Sequence, residues 1–268
     1  MMKLLKKDQL NKLFVFILII WIILAIIFGF TDLSISIALS DPNSLVGIIG
    51  KYFGESPGYG LAAVSLTTLI GSYIPDLEKQ KYSSFVGLIL SLIFLLFGVF
   101  LKSTKIIIDG TAISVSIVLF LIFNYQKDWR DYRKVSQIIL ILLVLNPLLF
   151  VQTFKTLWGR TRFHNLSASY SDYSPWFIPQ GITGERSFPS GHAAMGSMFF
   201  PLLIKLKNRR WSDPKKILGV YLILGWAIFV GVSRILIGAH YASDVLFPIG
   251  MTSIITIVLY KRVYKNSP

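Results

Sequence analysis

The sequence predicts an all-α protein that crosses a membrane several times. Its 268 residues are 54% hydrophobic and only 15% charged, whereas a typical soluble domain carries about a quarter charged residues. The apolar residues fall in long runs separated by short charged loops. One soluble core cannot bury several runs of membrane-spanning length. We therefore expect a polytopic transmembrane helical bundle that forms a single domain, 1–268.

Eight apolar runs are candidate membrane spans. They lie at about 13–30, 59–75, 83–101, 105–124, 135–154, 190–205, 216–236 and 243–261. The second and sixth are close to the shortest length that spans a bilayer. The third and fourth are separated by only three residues, which indicates a tight helical hairpin. The first run lacks a small-residue cleavage site, so we expect an uncleaved span and not a signal peptide.

The basic residues indicate how the bundle is oriented. Most of the 27 Lys and Arg residues fall in alternate loops and at the two termini. Cytoplasmic loops are enriched in these residues, so both termini are expected in the cytoplasm and the three polar clusters below on the outer face. This topology accounts for the net charge of +14 and leaves no soluble basic domain for nucleic acid. Asp109, near the outer end of the fourth run, is expected to reach water.

The first polar cluster, Lys155 to Arg162, follows the fifth run. Lys supplies a point charge for phosphate oxygens, and Arg supplies a planar, two-pronged donor. The alternative is that these bases only reach lipid headgroups, as basic residues beside a span commonly do.

The second cluster, Pro189-Ser190-Gly191-His192, opens the sixth run. A helix start leaves free backbone N–H groups that hold anions. Ser190 is suited to the N-cap or to a phosphate contact, and Gly191 allows a ligand to approach the backbone closely. His192 then lies in the first turn. A plain capped helix with an interfacial histidine explains this cluster equally well.

The third cluster runs from Ser233 to Asp244. Arg234 ends the seventh run, Gly238 permits a turn, and His240 and Asp244 begin the eighth. A spacing of four places His240 and Asp244 on one helical face. Asp244 can then accept a hydrogen bond from one ring nitrogen, which leaves the other free to attack. The alternative is a His–Asp pair that only ties helices together. Because charged residues at a membrane edge are costly, we favour a functional pair.

Taken in order, the three clusters resemble the signature of the type 2 phosphatidic acid phosphatase family. Vanadium haloperoxidases and glucose-6-phosphatases share this signature. Its elements are Lys-x6-Arg, Pro-Ser-Gly-His and Ser-Arg-x5-His-x3-Asp, which span 155–244 here. The second and third elements match fully, whereas the first departs because Phe163 replaces the usual proline. The family commonly has six spans, which implies an extra hairpin within 83–124.

The resemblance implies a role for each matching residue. His240 attacks phosphorus and forms a phosphohistidine, Asp244 orients His240, and His192 protonates the leaving oxygen and then activates water. The implied phosphate-binding residues are Lys155, Arg162, Ser190, Gly191 and Arg234. Three cations and a helix N-terminus can hold phosphate without a metal, so neither a metal nor another cofactor is expected.

The expected function is a lipid phosphate phosphatase of a bacterial cytoplasmic membrane, acting at the outer face. The segments Trp158-Gly159-Arg160 and Gly54-Glu55-Ser56-Pro57 are similar to those of bacterial family members that act on lipid phosphates. The candidate substrates are phosphatidic acid, phosphatidylglycerol phosphate, polyprenyl diphosphate and lipid A. Three alternatives remain: a phosphotransferase, a non-catalytic transporter of anionic lipids, and a metallohydrolase. The basic residues disfavour the last, because they repel a cation.

Overall fold

The protein is described by a computed structural model that covers residues 7–265. All regular secondary structure within this range is helical, which confirms the predicted all-α class. The helices are α1 (Lys7–Leu39), α2 (Leu45–Phe53), α3 (Ser56–Gly71), α4 (Tyr82–Phe100), α5 (Thr104–Asn124), α6 (Arg133–Leu143), α7 (Val151–Trp158), α8 (Gly191–Gly196), α9 (Leu203–Leu206), α10 (Pro214–Leu236) and α11 (Ala242–Lys265). Short 3₁₀ segments cover Lys79–Lys81, Trp129–Tyr132, Phe163–Asn165 and Ser197–Leu202, and a π-helical segment, Val144–Phe150, joins α6 to α7.

Six helical segments of the described chain are long and apolar enough to cross a membrane. They are Gln9–Leu39, Lys79–Phe100, Thr104–Asn124, Trp129–Asn165, Pro214–Leu236 and Ala242–Tyr264. The other two predicted spans are shorter helices: α3 has 16 residues, and α8 continues through a 3₁₀ segment into α9. The bundle therefore combines six full-length candidate spans with two shorter helices.

The hairpin predicted within 83–124 forms as α4 and α5. A Cβ on Gly110 of α5 would lie 2.9 Å from the Cα of Leu95 in α4, so only glycine allows this approach. Gly87 lets α4 approach Thr67 of α3 in the same way. The opposite face of α4 exposes large apolar side chains such as Phe97. The hairpin thus packs on the bundle through α3 and presents its outer face to lipid.

The long segment from α6 to α7 changes to a π-helix around Pro147, which has no backbone N–H to donate. Asn146, one residue earlier, is fully buried. Its Nδ2 donates to the carbonyl of Pro248, at 2.9 Å, and to the hydroxyl of Thr252, at 2.7 Å. This amide therefore ties the middle of the segment to α11.

The two ends of the bundle contain different contacts, and only one of them contains the polar clusters. At one end, α1 and α11 meet through a hydrogen bond from Lys261 Nζ to Asn11 Oδ1, at 2.8 Å. At the other end, the N–H of His164 donates to the carbonyl of Gly238, at 3.0 Å, which joins the loop after α7 to the turn between α10 and α11. All three polar clusters lie at this second end, which we call the site end.

Candidate active site

The turn between α10 and α11 sets the position of His240. Gly238 adopts a left-handed conformation, with φ of 65°, which favours glycine. The N–H groups of Ala239 and His240 both donate to the carbonyl of Arg234, at 3.0 and 3.2 Å. His240 therefore lies just before α11, and Asp244 lies in its first turn. The predicted pairing is present: His240 Nδ1 is 3.5 Å from Asp244 Oδ2.

Asp244 is fully buried and accepts several hydrogen bonds. The backbone N–H of Tyr241 donates to its Oδ2 at 2.9 Å, and the hydroxyl of Ser187 donates to the same oxygen. Arg160 Nη1 donates to Oδ1 at 2.6 Å. These donors hold the carboxylate in one orientation, so that it faces His240.

Arg160 connects Asp244 to the first helix. Its guanidinium is completely buried, and Nη2 donates to Asp32 Oδ2 of α1 at 2.9 Å. Nη1 also donates to the hydroxyl of Ser243 at 2.9 Å. The guanidinium carbon lies 4.0 Å from the ring centroid of Tyr241, a cation–π distance. One arginine thus pairs with two carboxylates from opposite ends of the chain.

Sequence reasoning assigned no site role to Arg160 or Asp32. The available signals were an arginine inside the first cluster and an acid at the end of the first apolar run. Ionisable groups in such positions are usually paired and often serve function. Which groups pair could not be read from the sequence, because Arg160 and Asp32 are 128 residues apart.

Ser190 is the N-cap of α8, as predicted. Its hydroxyl accepts a hydrogen bond from the N–H of Ala193 at 3.3 Å. Its own N–H donates to the carbonyl of Asp244 at 2.8 Å. This backbone contact joins the second cluster directly to the third.

His192 lies in the first turn of α8, and contacts from the N-terminal half of the chain hold both of its ring nitrogens. Nδ1 is 2.9 Å from Glu55 Oε1, and Nε2 is 3.2 Å from the carbonyl of Lys51. Glu55 belongs to the segment Gly54-Glu55-Ser56-Pro57, which is similar to segments of bacterial lipid phosphatases. The sequence did not indicate its contact with His192.

The first cluster supplies cationic groups to the same region. Lys155 lies in the last turn of α7, and a Cβ on Gly191 would be 3.6 Å from its Nζ. Gly159, with φ of 58°, ends the helix and turns the chain toward Arg162. Within residues 7–265, buried guanidinium atoms without a hydrogen-bond partner are Nε of Arg162 and both Nε and Nη1 of Arg234. Unpaired buried donors of this kind fit a phosphate group.

The environment of His240 keeps its imidazole neutral. The side chain is only 2% exposed. Burial lowers the pKa of His240 to about 3, the nearby carboxylate of Asp244 opposes this shift, and the charges of Lys155 and Arg234 reinforce it. A neutral imidazole retains a lone pair, which is the form required for nucleophilic attack.

Phe163, which replaces the usual proline, packs between the loop and the α10–α11 turn. Its ring stacks on Tyr170 with centroids 5.8 Å apart and meets the edge of Tyr241 at 6.4 Å. Tyr241 in turn lies against Arg160. The substitution therefore fits an aromatic cluster behind the site.

A metal centre was one alternative interpretation of the histidines and Asp244. In the described range, 7–265, no group of three or more His, Cys, Asp or Glu residues is arranged to hold a metal ion. The predicted site instead combines two histidines and Asp244 with cationic side chains and a helix N-terminus.

Comparisons with known proteins agree with this arrangement. Residues 136–268 match the model of the PAP2 superfamily. The chain is 29% identical to a lipid A 4'-phosphatase of Francisella tularensis subsp. novicida, over 57% of this chain and 70% of that protein. It is 31% identical to a lipid A 1-phosphatase of Rhizobium etli, over 42% and 46% of the two chains. It is 35% identical to phosphatidylglycerophosphatase B of Bacillus subtilis, over 29% and 40%.

The chain thus spans less than half of the last two relatives. No solved structure matches it. The matched family region contains all three clusters and most of the long α6–α7 segment. The family match to residues 136–268, the three phosphatase relatives and the helical membrane bundle agree, and together they support a membrane phosphatase similar to the PAP2 superfamily.

Proposed function

We propose that the protein hydrolyses a phosphomonoester or diphosphate of a membrane lipid through a phosphohistidine formed on His240. The observation that carries this proposal is the buried, neutral His240 beside Asp244, in the field of Lys155 and Arg234. A transporter of anionic lipids needs the cations, but it has no use for a histidine oriented by a carboxylate.

The cationic residues bind the phosphate oxygens in this proposal. Arg234 is 6% exposed and has two unpaired N–H groups, and Arg162 has one. Guanidinium groups match the geometry of two phosphate oxygens. Lys155 adds a point charge, and the cap residue Ser190 with the following Gly191 amide completes the cradle. The charge that develops on the oxygens in the transition state is then neutralised by fixed groups.

Attack by His240 is the first chemical step. The ring carries its proton on Nδ1, next to Asp244, so the lone pair on Nε2 attacks phosphorus in line with the leaving oxygen. The P–N bond forms as the P–O bond to the lipid breaks. His192 donates a proton to the departing oxygen, and the dephosphorylated lipid leaves as an alcohol or a monophosphate.

Hydrolysis of the phosphohistidine is the second step. His192, now neutral, takes a proton from water while the water oxygen attacks phosphorus. The P–N bond breaks, inorganic phosphate leaves, and His192 is again protonated. Asp244 stabilises the positive imidazole of the intermediate and does not itself transfer a proton.

The substrate is proposed to be a lipid of the outer leaflet of a bacterial cytoplasmic membrane. The similar phosphatases are named for lipid A and phosphatidylglycerol phosphate, which supports these two lipids as substrates. Phosphatidic acid and polyprenyl diphosphate offer the same phosphoryl group. The site end lies opposite the end where α1 begins and α11 finishes, so cytoplasmic termini would place the site outside.

The test is phosphate release by detergent-purified protein from a panel of these four lipids. The wild type is expected to release phosphate from at least one of them in the presence of a chelator, and His240→Ala is expected to release none. Phosphate release by His240→Ala at the wild-type rate would contradict the phosphohistidine. A parallel reaction with an added lipid or sugar acceptor separates hydrolysis from phosphotransfer, because only a transferase phosphorylates the acceptor.

A further inference from the structure

Glu55 bridges two side chains from distant parts of the bundle. Its Oε1 lies 2.9 Å from His192 Nδ1, and its Oε2 lies 2.8 Å from Lys105 Nζ at the start of α5. The carboxylate is only 14% exposed. We infer that Glu55 is a positioning residue for His192, and that the α4–α5 hairpin, through Lys105, holds Glu55 in place. This inference rests on the proposed function, in which His192 transfers the proton.

The backbone places Glu55 beside His192 by close packing of α2 on α10. A Cβ on Gly50 would lie 1.9 Å from the hydroxyl of Ser233, and one on Gly47 would lie 2.2 Å from Cγ2 of Ile237. Glycine at both positions lets α2 lie directly against the end of α10. Glu55 follows α2 immediately, so its position relative to the third cluster is fixed.

The charge of Glu55 is maintained by its neighbours. Burial alone would raise its pKa, but the hydrogen bond and charge of His192, followed by those of Lys105, outweigh burial and hold the pKa well below its ordinary value. Lys105 also lies 3.3 Å from Asp109, and the hydroxyl of Ser56 donates to Asp109 at 2.6 Å. Asp109, which was expected to reach water, is instead buried and belongs to this network.

The contacts of His192 favour its protonated form, against the effect of burial. An ionised carboxylate and a backbone carbonyl are both acceptors only. Nδ1 faces Glu55 and Nε2 faces the carbonyl of Lys51, so both contacts are hydrogen bonds only when each nitrogen carries a proton. This is the acid form of the imidazole. The Nδ1 proton stays on the ring, hydrogen-bonded to Glu55, so the Nε2 proton is the one transferred to the leaving oxygen.

The charged groups around His192 come from several elements. Burial has the largest effect and holds the pKa of His192 below its ordinary value; Glu55, at the α2–α3 junction, opposes this shift, and Arg234 of α10 reinforces it. Lys155 of α7 lies near the backbone of Gly191. Without the carboxylate, only the carbonyl of Lys51 would oppose burial and Arg234, and the imidazole would lose its proton at a lower pH.

The test compares two substrates with Glu55→Gln. A lipid phosphate has an alkoxide leaving group that needs a proton, whereas p-nitrophenyl phosphate has a leaving group that does not. We expect Glu55→Gln to slow hydrolysis of the lipid phosphate about 100-fold, which is the lower end of a general acid's contribution. Hydrolysis of the aryl phosphate should slow by less than about threefold. The alkaline limb of kcat/KM for the lipid should move to lower pH by about one unit.

Two further variants sharpen the comparison. Lys105→Met should reproduce the leaving-group selectivity of Glu55→Gln in weaker form. Glu78→Gln, an equal charge change on an exposed residue, should leave both substrates and the pH profile unchanged. Thermal unfolding in detergent confirms that each variant is folded.

The outcomes are distinguishable. Equal losses on both substrates, or no loss on either, with an active wild type would overturn the role of Glu55 and leave the proposed function standing. A wild type that hydrolyses neither substrate overturns the proposed function, and the role of Glu55 with it.

Discussion

The backbone N–H of Ser190 donates to the carbonyl of Asp244 at 2.8 Å, although that carbonyl lies inside the first turn of α11. In a regular helix it would accept from the N–H four residues later. That residue is Pro248, which has no N–H. The proline thus frees the carbonyl that fastens the start of α8 to the third cluster.

We therefore predict that Pro248→Ala weakens catalysis without unfolding the protein. The new N–H at position 248 competes with Ser190 for the Asp244 carbonyl. A backbone hydrogen bond is worth about 1 kcal/mol net, so phosphate release should fall by up to about tenfold. Pro214→Ala is the matched control, because the proline at the first position of α10 replaces an N–H that has no helical partner. An unchanged rate for Pro248→Ala would count against this coupling.

Replacing Arg160 should destabilise the protein strongly. Arg160→Met leaves Asp32 and Asp244 buried without a cation. Breaking a buried ion pair in this way costs about 3–5 kcal/mol. The measurement is the unfolding temperature in detergent. Arg209→Met, which removes an exposed pair with Asp213, should change stability by less than about 1 kcal/mol. Equal effects of the two substitutions would contradict the structural role of Arg160.

Arg234→Lys should weaken phosphate binding while the charge is retained. The unpaired Nε and Nη1 groups of Arg234 are lost, and an ammonium cannot replace their planar geometry. Inorganic phosphate should raise the unfolding temperature of the wild type, since a ligand that binds only the folded state stabilises it. That increase should shrink in Arg234→Lys and persist in the exposed control Arg186→Lys. Identical increases in all three proteins would exclude Arg234 from the phosphate site.

The stability of the protein should fall in acid partly because of His240. The pKa of His240 is about 3 in the folded protein, against an ordinary value of 6.5. Between these values the unfolded chain binds the proton and the folded chain does not. The contribution of the neutral side chain is therefore complete above about pH 6.5 and is lost as the pH falls toward about 3. His240→Asn should show a smaller fall in unfolding temperature between pH 7 and pH 4; an equal fall would refute this assignment.

The orientation of the site can be measured directly, because the chain has no cysteine. Single cysteines at Ala168→Cys and Ser212→Cys place one thiol in an exposed loop at the site end and one in an exposed loop before α10. A membrane-impermeant maleimide should label Ala168→Cys in intact spheroplasts and label Ser212→Cys only after lysis. The reverse pattern would place the site in the cytoplasm.

The sequence was sufficient for the helical membrane bundle and for the pair of His240 and Asp244. Long apolar runs report burial in lipid regardless of tertiary contacts, so the class was predictable. His240 and Asp244 are only four residues apart, so this pair could also be predicted, but the expected common helical face was wrong, because His240 precedes the first residue of α11. The extent of α3 and of the α8–α9 run was less certain, because short helices gain their stability from packing and not from length.

The sequence by itself determined the composition of the site: two histidines, an aspartate, three cations and a helix start, in an order that resembles a phosphatase signature. Only the tertiary structure decided which charged groups meet. Glu55 and Lys105 are 50 residues apart, Arg160 and Asp244 are 84 apart, and Arg160 and Asp32 are 128 apart. Such pairs form where packing of whole helices brings buried charges together, and no local pattern of residues encodes that distance.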